Sequence, residues 1–105
     1  MYNGMVDLSK ITGFDWDEGN IDKSYRKHGI TPNQAESVFL DDNLAVEPDV
    51  KHQELEKRYI AIGSGEKGSI LFTIFTIRND KIRIISARGA NQKERIKYEK
   101  AKKNS

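Results

Sequence analysis

Two arginines, Arg83 and Arg88, bracket the apolar run Ile84-Ile85-Ser86-Ala87. A guanidinium entering or leaving a buried strand is costly unless it reaches water or an anion. Arg88 stands just before Asn91, which with Glu94 three residues on forms a capping box. A cation beside the free N–H groups of a helix start is a natural place for a phosphate. Glu94 and Tyr98, four apart, share one face of that helix and add a carboxylate and a phenol. The bland alternative is that Glu94 only caps and that Tyr98 only packs its ring. Arg83 and Arg88 are five residues apart, so a regular strand sends them to opposite faces. A strand end or a bulge near Ser86 would bring them together.

Other chemistries find little support. There is no cysteine, which excludes thiol catalysis, a thiolate zinc site and a disulfide scaffold, and which suits a reducing compartment. The histidines, His28 and His52, lie too far apart for a helical ligand pair. No Walker loop, GxGxxG or GxSxG motif is present, and Ser86 lacks a nucleophile-elbow context. No metal and no cofactor are expected.

The charge is unevenly placed. Residues 1–56 carry 5 Lys/Arg against 12 Asp/Glu, whereas residues 57–105 carry 13 against 4. The formal net charge of +2 hides that contrast. A basic half on a small domain favours a polyanionic partner, most often nucleic acid. Lys93, Arg95 and Lys97 lie inside it, close to Arg88.

The elements that must position these residues follow from caps and periodicity. With 105 residues the chain fits one domain, 1–105, with 1–13 and 100–105 as frayed tails. A first helix is predicted from near Asp15, with Glu18 three residues on. Ile21, Tyr25 and His28 form its apolar face, Lys27 and His28 its last turn, and Gly29 its stop. A second starts at Thr31, with Pro32 at the first position and Gln34 closing a capping box. Leu44–Val46, Arg58–Ile62, Ser69–Ile77 and Ile82–Ala87 read as strands, with a hairpin turn at Arg78-Asn79-Asp80-Lys81. A third helix runs from Asn91 to about Lys102. The expected fold is therefore α+β: two N-terminal helices, a four-stranded antiparallel meander and a C-terminal helix. No apolar run approaches a membrane span, and no signal peptide is visible, so the cytoplasm is the expected location.

Several blocks together resemble the BrnT family of ribonuclease toxins from BrnT/BrnA-type toxin–antitoxin systems. They are Phe14-Asp15-Trp16-Asp17, Lys27-His28-Gly29-Ile30, Ala35 with Val38-Phe39, Glu56 with Arg58, Arg83 to Arg88 with Ala90, and Glu94-Arg95 with Tyr98. The chain departs from the family at Asn20 and Ser24, at Gly89 and at Asn91, which replaces a usual Thr but keeps the capping chemistry. The resemblance implies a RelE-like fold and a cytotoxic endoribonuclease that lowers translation. It also implies a BrnA-like antitoxin with a ribbon-helix-helix-like DNA-binding domain. Operator DNA is then reached only through the antitoxin, whose dimerisation makes a heterotetramer the expected complex.

Metal-free RNA cleavage uses the 2′-OH as nucleophile. It needs a base, an acid for the leaving 5′-oxygen and cations for the charge on phosphorus. Arg88 and Arg58 are the first candidates for the phosphate, with Arg83 behind them. Glu94 or Glu56 is the candidate base, and His28 or Tyr98 the acid. Lys27, Lys93, Arg95 and Lys97 would add charge along the RNA. The competing account of Glu56 and Arg58 is an ordinary cross-strand ion pair. Two other classes stay open: a nucleic-acid-binding module without activity, and a protein-interaction domain whose basic face holds an acidic partner.

Overall fold

The computed structural model describes residues 8–16, 18–52 and 56–104. It is α+β, but its sheet has five strands and is mixed. The strands are β1 (Gly13–Trp16), β2 (Ala45–Pro48), β3 (Tyr59–Ser64), β4 (Ile70–Arg78) and β5 (Lys81–Gly89), in spatial order β1-β5-β4-β3-β2. Helices α1 (Glu18–His28) and α2 (Pro32–Ser37) link the two edge strands, and α3 (Gln92–Lys103) follows β5.

The expected four-stranded antiparallel sheet behind two N-terminal helices is thus corrected. The chain opens with a strand, and β1 pairs with β5 in parallel, Phe14 opposite Ile82 and Trp16 opposite Ile84. Asp15, read as a helix start, is a strand residue facing Arg83. The alternation of Phe14 and Trp16 with Asp15 is a period of two, which puts both rings on the core side. Capping chemistry at Asp15 lost to that burial. Asp17 lies outside the described residues. Tyr25, expected on the apolar face of α1, is 57% exposed, and His28 is exposed too.

Other boundaries follow the local chemistry. Gly29 has φ +69° and its N–H donates to Tyr25 O, an αL stop for α1. Thr31 and Gln34 form both bonds of their capping box. The helix then tightens into a 3₁₀ turn at Val38–Leu40. Asn91 and Glu94 cap α3 in the same reciprocal way. Asn79 and Asp80 both have positive φ, as a two-residue I′ hairpin turn demands. Of the stretch read as an N-terminal tail, 1–7 lies outside the described residues. Leu8 and Ile11 pack on the core, and Thr12 N–H donates to Asp80 O at 2.8 Å.

One face of the sheet is the core. Leu71 and Phe75 of β4 meet Ile82, Ile84 and Ala87 of β5, closed over by Ala35 and Val38. Phe39 bridges Phe14 and Phe75 at 5.6 and 5.1 Å between ring centroids. The opposite face is open, apart from α3 packed against β3 at one end.

Candidate active site

A β-bulge shapes the open face. Phe75 is opposite Ile84 and Ile74 is opposite Ser86, so Ile85 is an extra residue on β5. Arg83 lies opposite Thr76 and Arg88 opposite Phe72. Positions 72 and 76 of β4 share a face, so both arginines stand on the open side, about 13 Å apart along the strand. Arg58 precedes β3 and lines the same face, beside Ile60 and Ile74.

Arg88 is tightly held. Its guanidinium makes two parallel bonds to Glu94, Nη1 to Oε1 and Nη2 to Oε2, both 2.8 Å. Its Cζ sits over the Phe72 ring, 4.1 Å from the centroid. Glu94 Oε1 also accepts the Asn91 N–H at 2.9 Å, so one carboxylate both caps α3 and grips the arginine. Partial burial pushes the Glu94 carboxyl up. Its bonds from Arg88 and the Asn91 backbone outweigh that, and the net shift is below the ordinary range.

Glu56 does not pair with Arg58. Its carboxylate is held by Arg78, with Nε to Oε2 at 3.0 Å and Nη2 to Oε1 at 2.9 Å. That pair, with the weaker fields of Arg58 and Arg83, lowers the Glu56 pKa. Arg83 bonds Asp15 Oδ2 at 3.2 Å across the parallel pair. Arg58 thus stands in a cationic cluster without Glu56 as its bidentate partner.

Tyr98 sits elsewhere in the hydrogen-bond network. It is 4% exposed and donates its O–H to Asp41 Oδ2 at 2.6 Å. Burial and that bond raise its pKa well above the usual phenol value. Asp41 Oδ2 also accepts the Ser64 N–H at 2.8 Å, and Oδ1 accepts the Asn43 N–H at 2.9 Å. Desolvation opposes ionisation of Asp41, but these donors prevail and its pKa is lowered. One carboxylate therefore ties together the end of the 3₁₀ turn, β3 and α3.

The remaining candidates divide by place. Lys93, Glu94 and Lys97 lie on the side of α3 turned to Phe72 and Ile62. Lys97 Nζ bonds both oxygens of Glu47 at 2.7 and 2.8 Å, closing a strap from α3 to β2. Arg95 lies on another side of α3 with Gln92 and Glu99, and its Nε donates to Ala90 O at 3.3 Å. Lys27 and His28 are exposed in the last turn of α1, an element packed along β5, and neither lines the groove below Arg88. Three participants escaped the reading of the sequence: Phe72, Arg78 and Asp41. Phe72 and Arg78 alternate with buried Leu71, Thr73 and Phe75, a weak signal that they face away from the core. Asp41 carries no comparable signal in the sequence.

The family model described as ribonuclease toxin, BrnT, of type II toxin-antitoxin system matches residues 16–94. The chain belongs to the BrnT family. The crystal structure of the Brucella abortus ribonuclease toxin BrnT is similar to this BrnT-family chain, with a TM-score of 0.60 and 27% identity. That match covers 76% of this chain and 97% of the Brucella chain. No curated protein matches closely enough to add to this. Membership makes the chain a toxin with ribonuclease activity whose partner is an antitoxin. No helix among the described residues is long and apolar enough to cross a membrane.

Proposed function

We propose that this BrnT-family toxin is a metal-independent endoribonuclease that cuts RNA by attack of the 2′-OH on the adjacent phosphate and so inhibits translation. The observation that carries the reading is the alignment of Arg58, Arg83 and Arg88 on one open face, with the Glu94 carboxylate against Arg88. Guanidinium forks match phosphate oxygens and supply the positive charge that the transition state needs. Among the described residues no group of three His, Cys, Asp or Glu gathers to hold a metal ion.

In this reading a substrate phosphate competes with Glu94 for Arg88. Once the fork turns to the phosphate, Glu94 loses the partner that depresses its pKa and becomes a better base for the 2′-OH. Asn91 still bonds it, so its position is kept. Tyr98 has its proton committed to Asp41 and acts as a positioning residue through α3. His28 lies outside this groove, so water in the open groove supplies the proton for the leaving 5′-oxygen, and Glu56 holds Arg78. Lys93, beside Glu94 and Phe72, adds charge next to the groove, and Lys27 and Arg95 would meet only RNA that extends beyond it.

A BrnA-like antitoxin with a ribbon-helix-helix-like domain neutralises the toxin in a heterotetramer and carries it to operator DNA in the cytoplasm. The test is cleavage of purified RNA with and without excess EDTA, with analysis of the new ends. Undiminished cutting that leaves 2′,3′-cyclic phosphate is expected. Cutting that stops with chelator and returns with magnesium overturns the mechanism.

A further inference from the structure

The open face carries an apolar strip that the phosphate chemistry leaves unused. Ile60, Phe72, Ile74 and Ile85 come from three adjacent strands and floor a groove of about 680 Å³. That size lies within the range of small-ligand sites. Arg58 and Lys51 line it together with Asp49 and the Lys97–Glu47 pair, and Arg88 sits over Phe72 beside it. The bulge turns both Ile85 and Ser86 into the groove, so an apolar surface and a hydroxyl lie side by side.

Proteins hold single-stranded nucleic acid with a surface for the base faces, most often aromatic, and cations for the backbone; here that surface is aliphatic, with the Phe72 ring beside it under Arg88. A duplex keeps its base faces in its own stack and offers mainly phosphates and sugars to such a surface. We propose that this groove takes one unstacked base of a single-stranded RNA, laid on Ile74 and Ile85 beside the Arg88–Phe72 stack. The substrate class is then single-stranded RNA, and the base pocket places the neighbouring phosphate at Arg88. This rests on the ribonuclease reading above. A partner protein's acidic, apolar segment is the competing occupant.

Binding of labelled oligonucleotides with 2′-O-methyl riboses, which cannot be cut, tests it by fluorescence anisotropy. The probes are a single strand, the same strand with one abasic position moved along it, and the same sequence in a hairpin stem. The single strand is expected to bind at least about tenfold tighter than the stem. One abasic position is expected to weaken binding by about tenfold, the loss of one stacked base. Ile74→Ala should shrink that abasic penalty while circular dichroism stays unchanged. Equal binding of strand and stem, or an abasic scan without a penalty, overturns the base pocket even if the protein cuts RNA. A wild-type protein that cuts no RNA but still shows the abasic penalty would sink the ribonuclease reading and leave the pocket standing. An Ile74→Ala protein that keeps the full abasic penalty but loses its antitoxin gives the floor to a protein segment and overturns the proposal.

Discussion

Arg83 and Arg88 face the same side of the sheet although five residues separate them. The cause is Ile85, the extra residue of the bulge, which resets the alternation between them. Without it one arginine would point into the core beside Ile82 and Ile84. The bulge is thus what turns two strand arginines into one cationic face.

Arg88→Ala should abolish toxicity in a protein that still folds. Removing one fixed stabiliser of transition-state charge typically costs 10²–10³ in rate, about 2.7–4 kcal/mol. The fold is expected to survive, because Glu94 keeps its capping bond to Asn91 and Arg88 is partly exposed. Arg88→Lys should recover little, since an ammonium makes neither the fork nor the stack on Phe72. Circular dichroism and a growth assay decide it. Wild-type toxicity in folded Arg88→Ala would remove this residue from the site.

Much of this was readable in the residues, and the rest was hidden for definable reasons. The capping boxes at Thr31 and Asn91 and the αL stop at Gly29 are local codes, so their elements follow from the sequence. The pairing of β1 with β5 joins residues 68 positions apart and is recorded only by two alternating aromatics, Phe14 and Trp16. Asp15 offered a plausible cap that masked it. The Arg88–Glu94 pair was within reach, because the strand end, the cap and the spacing were all visible. The partner of Glu56 was not, since Arg58 and Arg78 look alike until the register of β3 and β4 is known.

Tyr98→Phe should destabilise the protein and change its alkaline limit. The hydroxyl donates to a carboxylate in a largely buried setting, and such bonds contribute about 1.5–3 kcal/mol. The folded pKa of Tyr98 lies above its ordinary value near 10. Its contribution is therefore complete below pH 10 and is lost as pH rises beyond it. Asp41 has the opposite sign. Its folded pKa lies below 3.8, so its contribution is present above that pH and fades in more acid solution. Urea titrations of both proteins across pH should show the difference between them shrinking above pH 10. A difference that persists unchanged at the alkaline end would contradict the Tyr98–Asp41 tie.

Gly63→Ala tests the packing around the same tie. A Cβ there would lie 2.7 Å from Leu44 Cδ1 and 3.2 Å from Val38 O, with Asp41 Oδ2 at 3.4 Å. Leu44 is buried and the Val38 oxygen is backbone, so neither gives way easily. Overpacking of this kind costs about 1–3 kcal/mol. Thermal or urea unfolding measures it, and a variant as stable as wild type would mean that β3 and the 3₁₀ turn can separate freely.

The antitoxin should be drawn in by charge and held by apolar contact. Residues 57–105 carry 13 Lys/Arg against 4 Asp/Glu, and Arg58, Arg83, Arg88 and Lys97 gather around the open face. An acidic antitoxin segment would meet a complementary potential there, which accelerates encounter. Apolar contacts of the antitoxin outside that groove would then supply most of the affinity once water is expelled. Salt acts on the first step, because a Debye length shrinks from about 10 Å at 0.1 M to about 3 Å at 1 M. Raising salt from about 50 to about 500 mM should therefore slow association at least about tenfold, with dissociation changing far less. Stopped-flow mixing of purified toxin and antitoxin reads both rates. Association at one rate in both salts would show that the basic face does not steer the antitoxin in.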